Sequence, residues 1–258
     1  MIKRLPRRLA HGEEATLVEH LGELRTRLVI AILAIAIGFS VAYVFHAHLI
    51  KLLEDALPPD HRKLITIDIA EPFMTSVWIS LYAGFLLALP IVIYEIWAFM
   101  APAFDARTQR VVVGMTAFAA FLGAAGLVFG YFVALPAAVH FLSNYDNSLY
   151  NAQIRAKSYL SFAAMVLFAV AIVFEVPIVI LGLVRVGVLT TDRLRRNRRI
   201  GYVVMAAIAV ALPGVDPVTT TMEMIPLMLL FEGSIWLSLF MDRRWKAARP
   251  PETASVEL

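Results

Sequence analysis

Apolar residues in this chain gather into long runs instead of alternating with polar ones. The runs fall near 28–46, 74–100, 111–135, 158–184, 200–212 and 222–241, and the segments between them hold most of the charges. About 20 consecutive apolar residues make a helix long enough to cross the hydrocarbon core of a bilayer, whereas a half-buried strand would alternate with period two. The pattern predicts an all-α membrane protein with six transmembrane helices. The third run can continue through Pro136 to Leu142. The fifth, 200–212, would be about 20 Å long at 1.5 Å per residue, short of the roughly 30 Å core. Either its basic neighbours at 193–199 snorkel along a longer helix or the bilayer thins around it. Pro90, Pro136, Pro177 and Pro226 interrupt apolar runs. A proline inside a helix removes a backbone bond and kinks it, so the bundle is expected to be bent or cupped.

Composition agrees. Of 258 residues 60% are hydrophobic and only 17% charged, with mean hydropathy +0.75. Soluble domains carry about a quarter charged residues, so lipid must solvate much of this chain. The absence of cysteine removes disulfides and thiolate chemistry. The net charge of +3 says little, but its distribution says more: 18 of the 23 Lys and Arg lie in the N-terminal segment, 101–110, 185–199 and the tail. Only five lie in 47–73, 143–157 and 213–221. The positive-inside rule then places both termini in the cytoplasm of an inner-membrane protein. The first run is too long for a signal peptide. Arg7 and Arg8 are read as a basic flank, because Glu13, Glu14, Glu19 and Glu23 separate them from that run. The expected division is a cytoplasmic region 1–27 with an amphipathic helix, a six-helix domain 28–241, and a tail 242–258.

Some polar residues need an explanation. Thr16 and Glu19 fit a helix-capping box. Leu17, Val18, Leu21, Leu24 and Leu28 then form an apolar stripe, with Glu19, Glu23 and Arg27 on the opposite face. Glu23 and Arg27 can pair at i,i+4, and a carboxylate in that position could also accept an external guanidinium. Glu175 lies deep in the fourth run, where an ionised group is costly, so it should be protonated, paired or facing water. Glu95 and Glu232 lie nearer the cytoplasmic ends of their runs and are expected to snorkel. Glu223 is expected to be solvated at the outer end of the last span. Tyr94, Trp97 and Phe99 cluster at the cytoplasmic end of the second run, and Trp97 reads as part of an interfacial aromatic belt. No nucleophile–base pair, phosphate-binding loop or metal-ligand spacing stands out, so no enzyme, cofactor or metal site is expected. His46 and His48 read as interfacial.

The chain also resembles the TatC family, on pieces taken in order: HLGELRTRL (20–28), EPF (71–73), LPIVIYEIWAFMAPAF (89–104), FGYFVALP (129–136), SYLSF (158–162), FEVPIVIL (174–181), DP (216–217) and IPLMLLFE (225–232). The resemblance implies a glove-shaped bundle that receives the twin-arginine signal peptides of folded precursors at its cytoplasmic face. It implies binding roles for Glu23 and Arg25, with Leu21 beside them, and for Phe99 and Pro102. The family often has a second Glu where this chain has Thr108, which leaves Asp105 or Glu19 as the second carboxylate. Glu175 matches the family's intramembrane acid. Pro72, Phe73 and Asp216 match its extracytoplasmic positions. TatA- and TatB-like single-span partners are expected to dock near Thr219, Thr220 and Pro226. Membrane lipid and further copies of the chain are expected as partners, and nucleic acid is not. The competing reading is a proton-coupled secondary transporter using Glu175 and Glu232, although the two halves of the chain show no repeat of the kind such proteins carry.

The native chain lacks Cys, so single cysteines report topology cleanly. Cysteines placed in 47–73 or 143–157 should react with an impermeant maleimide added from outside, and one in 242–258 should not. Labelling of the tail from outside would overturn the orientation.

Overall fold

A computed structural model describes residues 17–59, 62–100, 108–145, 153–213 and 216–247. Side chains at 17–19, 108–112 and 243–247 are outside that description. The helices are α1 (Leu17–Val44), α2 (His46–Asp55), α3 (Glu71–Met100), α4 (Thr108–Phe129), α5 (Leu135–Asn144), α6 (Ala156–Val173), α7 (Val176–Val186), α8 (Thr191–Arg196), α9 (Arg198–Ala211) and α10 (Pro217–Ala247). A π-helical turn, Gly130–Ala134, joins α4 to α5. An isolated bridge between Ile65 and Arg155 is the strand-like pairing among the described residues.

Five stretches are long and apolar enough to cross a membrane: His20–Val44, Glu71–Met100, Val113–Asn144, Ala156–Val186 and Pro217–Asp242. The sixth apolar helix, α9, has 14 residues, or about 21 Å. The third run does continue past Pro136. Proline there has no N–H to donate, and the widened π turn just before it absorbs the change of register. Pro177 acts differently. It sits in the first turn of α7, where no N–H is needed, and the chain breaks between α6 and α7 with Glu175 at the N-cap of the second piece. Pro90 and Pro226 lie inside single uninterrupted helices. The lead-in segment from Leu17 and the first span form one continuous rod.

Helix α3 is the central element, contacting α1, α2, α4 and α6. Its approach to α1 is backbone on backbone. A Cβ added to Gly38 would lie 2.3 Å from the Gly84 carbonyl oxygen, and one added to Gly84 would lie 2.4 Å from the Phe39 nitrogen. Small residues permit such approach between membrane helices, where dispersion and weak polar contacts replace the hydrophobic effect. Around α3 the core divides into patches. Leu89, Ile93, Trp97, Met115, Ala119, Ile178 and Leu181 join α3, α4 and α7. Leu53 and Leu57 pack α2 and its C-terminal turn onto Tyr159 and Leu160 of α6. Ile180, Met205, Leu227 and Phe231 hold α7, α9 and α10 together. Outward-facing side chains such as Ile37, Phe132 and Leu229 are exposed and apolar, as lipid contact requires.

Trp97 corrects the aromatic-belt expectation. It is buried, and its ring lies over Gly182 of α7, in the space a Cβ there would fill. Periodicity did not show that the α3 face carrying Trp97 turns toward α7.

Replacing a helical glycine by alanine ordinarily stabilises a helix by about 0.5–1 kcal/mol. At Gly38 or Gly84 the sign should reverse, with a loss of about 1–3 kcal/mol from overpacking, read as a lower melting temperature in detergent. Gly114→Ala, which meets open space, serves as the control that should not lose stability.

Candidate functional site

At the end of the bundle where α1 begins and α3 finishes, three charged side chains meet. Arg27 donates from Nε and Nη2 to Oε1 of Glu23, at 2.9 and 2.5 Å, one helical turn away. Its Nη1 reaches across to Oε2 of Glu95 on α3, at 3.1 Å. Glu23 and Arg27 are partly open, with side-chain exposures of 28% and 24%, while Glu95 is nearly closed at 11%. Beside them the His20 ring stacks on Phe99 with centroids 4.5 Å apart. Both Phe99 and Glu95 come from the last turns of α3, so one helix end supplies the aromatic and the second carboxylate.

The other predicted site residues are distributed as follows. Leu21 and Arg25 are exposed on α1. Thr108 opens α4 by its backbone, while Pro102, Asp105 and the Glu19 side chain lie outside the described residues. Pro72 and Phe73 occupy the first turn of α3 and are exposed. Asp216 is buried, and its Oδ1 accepts from the Thr219 N–H at 2.8 Å, capping α10. Thr219 is fully buried, leaving Thr220 and Pro226 partly open on that helix.

Two snorkelling expectations are corrected. Glu95 is held by Arg27, and Glu232 accepts from the Tyr202 hydroxyl and pairs with Arg198 at 3.3 Å. Each acid has found a cation from a neighbouring helix, which satisfies part of its charge within the bundle. Glu223 is also corrected. It is 2% exposed, and neither carboxylate oxygen has a partner among the described residues. Helix α10 begins at Pro217, earlier than the apolar run at 222–241 suggested, and Glu223 falls on the inward face that also carries Asp216 and Thr219. Glu175 is buried as well, with both oxygens unpartnered among the described residues. Its carboxylate occupies space left by Gly123 of α4, where a Cβ would come within 2.9 Å of Oε1.

Sequence reasoning missed one charged cluster altogether. Glu71, at the start of α3, takes Arg155 Nε at 3.1 and 3.0 Å and Nη2 at 2.9 Å. It also accepts from the backbone N–H groups of Lys157, Ile67 and Asp68. The pair lies 84 positions apart in the chain. Its sequence signal was an acid in a helix's first turn with an arginine in the next loop on the same side. Among the described residues no group of three His, Asp or Glu is placed to hold a metal ion.

Fold and polar groups together define a multi-pass helical membrane protein. The family model described as Sec-independent protein translocase protein (TatC) matches residues 19–226. A Desulforapulum autotrophicum relative of that name is 34% identical over 226 residues, covering 86% of this chain and 84% of the relative. One from Aquifex aeolicus is 33% identical over 234 residues, covering 89% of this chain and 97% of the relative. A crystal structure of the twin-arginine translocase receptor TatC in DDM matches with a TM-score of 0.75 and 33% identity, covering 85% of this chain and 99% of that one. The chain belongs to the TatC family, and so is a component of the Sec-independent, twin-arginine protein translocase.

Glu175→Gln keeps polarity and volume and should retain most export of a twin-arginine reporter. Glu175→Leu should lose several-fold more. Equal export by wild type and Glu175→Leu would show that the position needs only packing.

Proposed function

We propose that this chain is the receptor subunit of the translocase and that it binds the twin-arginine signal peptides of folded precursors at the Glu23 end. The observation that carries this reading is a partly open carboxylate on the polar face of α1, flanked by the His20–Phe99 stack. A carboxylate accepts the planar guanidinium fork, and an ionised pair makes the stronger kind of hydrogen bond. The excess of Lys and Arg supports placing this end, with both termini, in the cytoplasm of an inner-membrane protein, where precursors arrive. TatA- and TatB-like single-span proteins would dock along α9 and α10, where Thr220 and Pro226 remain partly open. Further copies of the chain would complete the assembly.

The transporter reading gains one observation, the buried carboxylates of Glu175 and Glu223, which have no partner among the described residues. It lacks the repeated halves expected of that class. Retention of a twin-arginine precursor separates the two.

A charge-assisted hydrogen bond contributes about 1.5–3 kcal/mol, so Glu23→Gln should weaken precursor binding about tenfold or more. Asp105→Asn and Glu19→Gln should each do less, and Thr108→Glu should tighten binding. Precursor crosslinking in membranes measures all four. Wild-type crosslinking by Glu23→Gln would remove Glu23 from the site.

A further inference from the structure

Arg27 is a guanidinium already seated between two carboxylates. Its Nε and Nη2 are both spent on one oxygen of Glu23, and its Nη1 on one oxygen of Glu95. The second oxygen of each acid, Oε2 of Glu23 and Oε1 of Glu95, accepts nothing among the described residues. Among the described residues, two carboxylates here share one cation. Glu95 sits near the end of an apolar helix with its side chain 11% exposed, an expensive place for a carboxylate that has no cation.

We propose that Glu23 and Glu95 together form a guanidinium site, that Arg27 occupies it in the unliganded chain, and that an arginine of the signal peptide binds by taking Arg27's place. The proposal rests on the receptor reading above and adds Glu95 as the second anchor and Arg27 as the built-in competitor. Exchange of one guanidinium for another leaves no carboxylate unpaired at either end of the reaction, so the site avoids the penalty of a stripped buried charge. Arg27 has a long side chain, and at 24% exposure it has an open route away from the pair once displaced. A lysine in the cargo would bring a single point charge in place of the fork and could not span both acids in the way Arg27 does. The site therefore selects arginine by geometry, and its net affinity is reduced by the need to evict its own occupant.

The test uses the full chain in detergent or nanodiscs and two fluorescent synthetic peptides, an apolar signal-like sequence carrying Arg-Arg and its Lys-Lys counterpart. Dissociation constants are read by anisotropy, with the melting temperature of each variant as a check on folding. Glu95→Gln should weaken Arg-Arg binding about tenfold or more, comparable to Glu23→Gln. Arg27→Gln should tighten it several-fold, and that gain should vanish when Glu95→Gln is added. Arg27→Lys releases one carboxylate while keeping the charge, so it should also bind more tightly than wild type, and it decides the matter should Arg27→Gln fail to fold. Unchanged binding by Glu95→Gln, or weaker binding by a folded Arg27 variant, would overturn the exchange while leaving Glu23 as a receptor residue. Failure of the receptor reading looks different: the wild-type chain would not distinguish Arg-Arg from Lys-Lys, and Glu23→Gln would change nothing.

Discussion

The Glu71 carboxylate is the knot on which the bundle hangs. It sits in the first turn of α3 and draws four groups to itself: the Arg155 guanidinium, the Lys157 N–H at the start of α6, and the N–H groups of Ile67 and Asp68 in the preceding loop. The neighbouring Ile65–Arg155 bridge sews the same two segments by backbone, with Ile65 donating to Ile154 and Ala156 donating to Ile65. Dispersion contacts between membrane helices have little directional preference, so helix register needs polar fixings of this kind. Once the start of α3 is pinned, everything further along that helix is placed as well. Gly84 meets Gly38, Trp97 meets Gly182, and Glu95 arrives opposite Arg27, about 36 Å along the rod from Glu71.

Polar groups in this bundle follow two rules. One set of acids is paired with a cation from a distant part of the chain, as in Glu71–Arg155, Glu95–Arg27 and Glu232–Arg198. A second set, Glu175 and Glu223, is enclosed without a partner among the described residues. The first kind fixes helices relative to one another. The second kind is costly in a low-dielectric setting, and both members sit where the helical pattern yields space or a turn: Glu175 at the α6–α7 break beside Gly123, and Glu223 two turns beyond the Asp216 cap.

The sequence made the helices easy to see and their faces hard to see. Runs of apolar residues located the long spans because a 20-residue run has few other meanings, and the prolines at 136 and 177 marked real interruptions. Pro90 and Pro226 did not, since a helix buried among neighbours can keep its course around a lost bond. Hydropathy carries no information on which side of an all-apolar helix turns inward. That is why Trp97 read as an interfacial ring and Glu223 as a solvated acid. Partnerships between distant segments were equally hidden. Glu23 and Arg27 could be matched because they share a helix, whereas Glu95 and Arg155 gave no local sign of their partners.

The last two helices have a consequence for how the protein is made. Helix α9 is too short to cross on its own, and α10 is the least apolar of the five long spans and carries Glu223 and Glu232. Their defects are complementary. The Phe231 ring fills the space beside Gly201, and Tyr202 and Arg198 satisfy Glu232. A nascent α9 emerging from the insertion machinery has little reason to remain in the bilayer until α10 is present to complete it. Partitioning as a hairpin would commit these two helices, about a fifth of the chain, in one late step and not helix by helix.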